Sequence, residues 1–278
     1  MIINHNITAM NTLRYLNGNT EAQGKSMERL STGLRINRGA DDAAGLSISE
    51  KMRAQIKGLD QASRNAQDGV SMIQTADGAL NETTSILQRM RELSVQASSD
   101  TLAAPDRTAI TSEMTALNAQ VDTIATTTSF NGKTLLDGKL NGTDGNAKLS
   151  VGANGTAAET ITVNFKAMDS ATLGLTAANT DVTDVTKSQA TTGFIDTAIQ
   201  TVSTQRGDLG AAQNRLEHTI NSLDSISQNT STAESRIRDV DMAKEVMNSS
   251  KSGILAQAAQ AMLAQANQQP QGVLQLLR

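Results

Sequence analysis

The side chains with the clearest chemical potential lie in GLRINRGADDAAGLSISEKMR, where Asp41 and Asp42 stand side by side. Adjacent carboxylates can work as an acid–base pair or bind a divalent cation. No histidine or third carboxylate is near in sequence, which disfavours both roles. The next residues form an Ala-Leu-Ile segment at helical spacing, and acidic residues just ahead of such a segment cap a helix N-terminus. The cap is the simpler role for this pair.

The other reactive side chains are scattered. His5 and His218 fall in segments expected to lie apart, and there is no HExxH, no glycine-rich phosphate loop and no GxSxG. Ser, His and Asp are present, but no spacing arranges them into a triad. The chain has no cysteine, which removes disulfides and thiolate metal sites. In LQRMRELSVQ, Arg89, Glu92 and Gln96 share one helix face, as a solvated surface or as a contact site. In ESRIRDVDMAKE acids and bases alternate, the usual pairing of a helix surface. Triplets such as Asn141-Gly142-Thr143 are expected by chance in so polar a chain. Neither an enzyme, a metal nor a cofactor is indicated.

Such residues must be carried by something, and the composition restricts what that is. Among 278 residues there are three Phe, one Tyr and no Trp. The core must therefore be aliphatic, filled out by Ala, Ser and Thr, which suits closely packed helices. A net charge of −4 argues against a nucleic-acid partner. No apolar run reaches the ~18 residues of a membrane span. The N-terminus lacks the cationic start and apolar stretch of a secretory signal, so any export is expected to read an uncleaved terminus.

Spacing supplies the helices. Ile3, Ile7 and Met10 open a 4-3 pattern that blurs through Leu13 and Leu16 and resumes at Met27, Leu30 and Leu34. Ile73, Ala76, Leu80, Thr83, Leu87, Met90 and Ser94 keep a 3-4 alternation, as do Ile110, Met114, Leu117, Val121 and Ile124. The longest run is Ile195, Ile199, Val202, Arg206, Leu209, Gln213, Leu216, Ile220 and Leu223. These are heptad seams of helices that wind together. Pro105 suits a first helical turn. The final helical stretch is expected to run on for about 70 residues from Ile195, roughly 100 Å at ~1.5 Å per residue. That length points to a rod or an assembly.

The middle differs. Seven of the twenty glycines fall between 131 and 175, and AKLSV and ETITVNF alternate apolar with polar residues around the turn GANGTAA. This predicts a small β-hairpin, with 176–192 as a loop. The fold class is thus mainly α, with long helices from both terminal regions in coiled-coil or bundle packing and a small β-hairpin insertion between them.

The tail SGILAQAAQAMLAQANQQPQGVLQLLR carries no charge between Gly253 and Leu277. An isolated helix of this composition barely offsets its ordering entropy. The tail is therefore expected to be frayed alone and ordered against partners, in a packed multi-chain interior.

These motifs together closely resemble bacterial flagellin. IINHNITAMNTLRYL, STGLRINRGADDAAGLSISEKMRAQIKGL and NAQDGVSMIQTADGAL are similar to the family's N-terminal region. QRGDLGAAQNRLEHTINSL, AESRIRDVDMAKEV and the tail are similar to its C-terminal region, and TSFNGKTLLDG and LSVGANG to the junction with its β-rich part. Roughly four-fifths of the chain is covered, and the large variable outer domains are absent. Gly39 stands where the family commonly has another residue.

The resemblance implies a non-enzymatic subunit that self-assembles into a hollow helical filament for motility, secreted by the flagellar type III apparatus to the extracellular flagellum. It implies a terminal coiled-coil core, 1–42 with 239–278, disordered in the monomer. A helical bundle, 43–130 with 191–238, lies outside it, with the β-rich region at 131–190. Assembly would engage Ile3, Ile7, Met10, Asp41, Asp42, Leu46, Ile254, Leu255, Met262, Leu263, Leu274 and Leu277. Partners would be further copies, an export chaperone on the C-terminal segment, and the filament cap and hook-associated proteins. The family's innate-immune site, contacted by a toll-like receptor, maps onto Arg89, Leu93 and Glu113. The alternatives are a hook–filament junction protein and a cytoplasmic coiled-coil scaffold.

Overall fold

A computed structural model describes residues 6–140 and 145–276, without the side chains of 157 and 270–276. The elements in chain order are α1 (Ile7–Thr32), α2 (Ala43–Ala97), α3 (Ala104–Thr127), β1 (Ser129–Phe130), β2 (Lys133–Thr134), β3 (Asn146–Ser150), β4 (Thr160–Asn164), α4 (Val185–Arg238) and α5 (Met242–Leu276). They form two compact units, Met1–Ala54 with Gln228–Arg278 and Gln55–Ser227. The helices α2 and α4 contribute to both. Of the expected site residues, Ile3 and Leu277, and the side chain of Leu274, lie outside the described residues, as does His5.

The unit Gln55–Ser227 is built on the heptad seams. Every member of the run from Ile73 to Ser94 is buried, as are Ile195, Val202, Leu209, Leu216 and Leu223 on α4. The polar members are satisfied: Thr83 Oγ1 donates to the Ala79 carbonyl, while Ser94 bonds the Ser188 carbonyl (2.8 Å) and the Thr192 hydroxyl (3.0 Å). Cross-links Ser63–Asp224, Arg206–Asp77 (2.8 Å) and Arg91–Asp196 (2.7 Å) match rising positions on α2 with falling positions on α4, so the two helices run antiparallel. Helix α3 adds Ile110, Met114 and Val121 to the same core. Its start follows from sequence: Pro105 sits in the first turn, and the Asp106 carboxylate accepts from the Ala103 N–H.

The expected hairpin forms, with β3 antiparallel to β4 in the register Asn146↔Asn164 to Ser150↔Thr160. Two glycines of α2 let it dock. A Cβ on Gly69 would collide with Leu149 Cδ1, and one on Gly58 would lie 2.8 Å from the Ala153 carbonyl oxygen. Asn65 Nδ2 donates to the Ser150 carbonyl between them. A second, shorter hairpin, β1–β2, adds to what the sequence predicts. It turns on Asn131 and Gly132, at φ 49° and 75°, the Asn-Gly signature of a tight two-residue turn.

Two expectations are corrected. First, 176–192 is not all loop, since α4 begins at Val185. Val182 and Thr180 are buried, so the segment before α4 is packed against the core. Asp181 organises this entry: its carboxylate takes the Lys187 ammonium (2.7 Å) and the Thr183 N–H (2.9 Å). These donors, Lys187 first, lower its pKa from 3.8 to about 2. A carboxyl depressed on folding stabilises the fold above its unfolded pKa and loses that contribution as pH falls through the folded one. Hydrogen exchange of the first turn of α4 will therefore accelerate as pH drops from about 4 to about 2, beyond the intrinsic pH effect. Asp181→Asn will flatten that dependence.

Second, the final helical stretch is not one rod. It breaks at residues 239–241 into α4 and α5. Here the chain pairs with the segment after α1: Arg35 N–H donates to the Arg238 carbonyl (2.7 Å), and Val240 N–H to the Gly33 carbonyl (3.0 Å). Leu34 and Asp239 form an isolated antiparallel bridge. The Asp241 carboxylate then caps α5 through the Lys244 N–H (3.1 Å). These backbone groups exchange helical bonds for cross-chain ones, which offsets the cost of the break.

Candidate functional site

No chemical centre assembles among the described residues. Asp41 and Asp42 divide between two structural tasks rather than forming a carboxylate pair. Asp41 Oδ2 accepts from the backbone N–H groups of Arg38 (3.0 Å) and Asn37 (3.2 Å), which hold its carboxyl below the usual carboxylate range. Asp42 Oδ1 accepts from the Gly45 N–H (2.8 Å), capping α2. His218 is exposed, and among the described residues no group of three or more His, Cys, Asp or Glu side chains converges. No helix among them is long and apolar enough to cross a membrane.

The Asp41–Asp42 turn closes over Ile36, which is 1% exposed. Among the described residues of its unit it is the one large apolar side chain to be fully buried. Gly45 makes the closure feasible. A Cβ there would lie 2.5 Å from Asp42 Oδ2 and 2.8 Å from Ile36 Cδ1. Gly45→Ala will displace Ile36 or the cap and destabilise the connector by about 1–3 kcal/mol, seen as faster tryptic cleavage at Arg35 and Arg38. Gly39 makes no such demand: its φ is not positive, and its nearest neighbour would be Leu46 Cδ2 at 3.9 Å. Leu46 itself is half-buried.

Around this turn ion pairs link the helices. Arg238 is buried and pairs with Glu50 (2.5 Å), and Arg53 with Glu234 (3.0 Å), joining α2 to α4. Arg29 faces the buried Glu245 at 3.8 Å, and Asn248 also donates to that carboxylate. In the sequence these groups read as ordinary surface charge, because alternating signs along one helix do not reveal a partner on another.

The pairing of α1 with α5 decides what this unit can do. Asn6 caps α1 by accepting from Ala9 N–H, and its Nδ2 donates to the Ala266 carbonyl (2.8 Å). Near the other end Gln23 lies beside Gly253, and Arg29 beside Glu245. The helices are thus antiparallel. The less exposed positions of α1 are Ala9, Thr12, Leu16, Asn19, Gln23, Ser26, Glu28, Arg29 and Leu30. Those of α5, among its described side chains, are Glu245, Ser249, Ser252, Gly253, Ala256, Ala259, Leu263 and Ala266. Apart from Glu28, Arg29 and Gly253, both sets follow a 3-4 repeat, so a coiled-coil seam exists, half of it polar and with Leu16, Leu30 and Leu263 as its large apolar members.

Of the apolar pattern read from sequence on α1, Leu16 and Leu30 fall in the intramolecular seam, but most of its other members do not. Ile7, Met10, Leu13 and Met27 are exposed instead, and on α5 so are Ile254, Leu255 and Met262. Of the α5 residues expected in assembly whose side chains are described, Leu263 alone belongs to the seam. The large apolar residues of α5 with described side chains lie on more than one face, with Leu263 in the seam and Ile254, Leu255 and Met262 exposed. Large apolar side chains on more than one side need cover on more than one side, and α1 covers one. The two helices thus leave large aliphatic side chains in water around a half-polar seam.

Arg89 and Glu113 do meet, across α2 and α3. Arg89 Nε and Nη2 both donate to Glu113 Oε1 (3.1 and 3.0 Å), and Nη1 donates to Glu92 (3.2 Å). Glu113, then Glu92, raise the Arg89 pKa further. Leu93 is different: it is 2% exposed and belongs to the core with Ile110 and Met114. The surface there is a charged cluster, and Leu93 supports it from beneath.

Comparison with known proteins agrees with this architecture. The model of the bacterial flagellin N-terminal helical region matches residues 3–141, and that of the C-terminal helical region matches 192–277. A flagellin of Halalkalibacterium halodurans is 55% identical over 278 residues, with both chains covered completely. One of Bacillus subtilis is 53% identical over 306 residues, again covering both chains. The flagellar filament 33 kDa core protein of Treponema phagedenis is 46% identical over 288 residues, with both chains covered completely. Among solved structures, the crystal structure of Bacillus cereus flagellin superimposes with TM-score 0.50 at 32% identity, over 58% of this chain and 88% of that one. A putative flagellar hook-associated protein from Vibrio parahaemolyticus gives TM-score 0.61 at 12% identity, over 72% of this chain and 100% of that one, a likeness of fold alone.

Proposed function

The chain belongs to the bacterial flagellin family and is a structural subunit of the flagellar filament, and from that premise we propose that its terminal helices supply the inner core of the polymer. The observation that carries this is the α1–α5 pair, whose seam is half polar with Leu16, Leu30 and Leu263 as its large apolar members, while Ile7, Met10, Leu13, Ile254, Leu255 and Met262 stay exposed. In a self-assembling polymer those side chains acquire apolar neighbours from adjacent subunits, each contributing about 1.5–3 kcal/mol when fully buried. Free in solution the pair is weakly held and gains its order on assembly. Residues 1–42 with 239–278 form this core, 43–130 with 191–238 the surrounding bundle, and 131–190 the outer β-rich part. Ile3, Ile7, Met10, Ile254, Leu255, Met262, Leu274 and Leu277 supply the apolar contacts between subunits. Asp41, Asp42 and Leu46 fix the connector, and Leu263 the seam.

The polymer is extracellular and hollow, lined by the uncharged tail, which offers no ionic anchor to a passing chain. The subunit leaves the cell through the flagellar type III apparatus, its C-terminal segment held beforehand by an export chaperone. It meets the filament cap and hook-associated proteins at the ends. The subunit is not an enzyme, a reading supported by the commitment of its paired carboxylates to backbone donors. Arg89 and Glu113 form the part of the chain offered to a flagellin-sensing toll-like receptor, in species that possess one, which a receptor-reporter assay with purified subunit checks.

Electron microscopy of purified subunit before and after seeding tests the central statement. Long hollow filaments are expected. Short caps of a few subunits per flagellum would instead indicate a junction protein, and recovery from the cytoplasm alone a scaffold.

A further inference from the structure

The eleven methionines are divided by unit. Met72, Met90, Met114 and Met168, all in the unit Gln55–Ser227, are no more than 8% exposed. Met10, Met27, Met242, Met247 and Met262 are 49–65% exposed, and all five lie in the unit of α1 and α5. Met52 is half-buried, and Met1 lies outside the described residues. The exposed thioethers thus lie in the unit that also leaves Ile7, Leu13, Ile254 and Leu255 exposed.

We propose that this methionine set makes the terminal helices an oxidation-sensitive assembly surface, in which sulfoxide formation in the free subunit prevents docking on a second copy. The inference rests on the assembly role given above. The chemistry is a two-electron transfer: the sulfur lone pair attacks one oxygen of a peroxide, the O–O bond breaks, an S=O bond forms, and water leaves. Sulfur is oxidised, peroxide oxygen is reduced, and the co-reactant is hydrogen peroxide. A flexible apolar side chain becomes a strongly polar one. Exposed to water it is tolerated, but buried in an interface its oxygen needs a hydrogen-bond partner that aliphatic neighbours cannot give. Once the interface has closed, the same sulfurs are shielded. Oxidation therefore removes unassembled subunits from the assembling pool and spares the polymer.

The test treats purified full-length subunit with hydrogen peroxide, maps sulfoxides by mass spectrometry, removes the peroxide, and measures the critical concentration for seeded polymerisation. A rise of about tenfold or more is expected, with sulfoxide at the five exposed positions and little at Met72, Met90, Met114 or Met168. Methionine sulfoxide reductase should restore assembly. A variant with Met10, Met27, Met242, Met247 and Met262 all replaced by Leu should assemble after the same treatment. Filaments treated as polymers should show the five positions protected. Oxidised subunit that polymerises normally would overturn the proposal. So would failure of the reductase to restore assembly, a Leu variant that assembles untreated yet fails after peroxide like the parent, or rapid oxidation of the five positions within filaments. Untreated subunit that forms no filament would overturn the assembly role itself, a separate outcome.

Discussion

Deletion of residues 253–278 will abolish filament growth while leaving the unit Gln55–Ser227 folded. The deletion removes Ala256, Ala259, Leu263 and Ala266 from the seam that covers α1, so α1 loses most of its one partner. It also removes Ile254, Leu255 and Met262, which are exposed in the single chain and are assigned to contacts between copies. At about 1.5 kcal/mol each, those three alone account for about 4.5 kcal/mol per subunit. That is about a thousandfold in critical concentration. The core of the other unit takes no residue from the deleted segment. Its cooperative melt, followed by circular dichroism, should survive with reduced total helix content. Filaments of ordinary length from the truncated chain would leave the family assignment intact but refute the assembly role given to α5.

Phe165→Ala will destabilise the unit Gln55–Ser227 by about 3–5 kcal/mol. Phe165 is fully buried just after β4, the largest side chain in a core with almost no aromatics. Its N–H donates to the Gly145 carbonyl (2.8 Å), at a glycine with φ 62° whose Cβ would collide with the Phe165 carbonyl oxygen. The backbone is therefore fixed around the ring and cannot collapse into the space left by its removal. Phe165→Leu should cost far less, about 1.5 kcal/mol or below, since much of the volume stays filled. Urea unfolding of the two variants beside the parent checks both values. Equal losses would show that the site relaxes freely, and the large cavity cost would then not apply.

Much of the helical plan was legible in order and periodicity. The run from Ile73 to Ser94 names the buried face of α2 because a 3-4 repeat in an antiparallel bundle leaves few other faces to bury. The hairpin β3–β4 was legible from two alternating segments around a glycine-rich turn, and α3 from Pro105 with Asp106. The family likeness rests on linear motifs at both ends, so a sequence by itself suffices to assign a flagellar filament subunit.

Tertiary structure decided which residues meet. Ile7 and Met10 sit at heptad spacing, yet they are exposed and the seam of α1 runs through Ala9, Thr12 and Leu16, toward the α5 stretch that holds Ala259, Leu263 and Ala266. Leu93 falls outside the α2 seam and is buried all the same, since α3 closes over a second face of α2. The break at 239–241 lies in an ordinary charged helical stretch and follows from backbone pairing with Gly33 and Arg35, far away in the chain. Gly45 reads as a weak helix residue until Ile36 is placed against it. Periodicity reports a preference for burial along one chain segment, whereas the energy of burial belongs to a pair of surfaces. The partner surface is fixed only when distant segments are brought together.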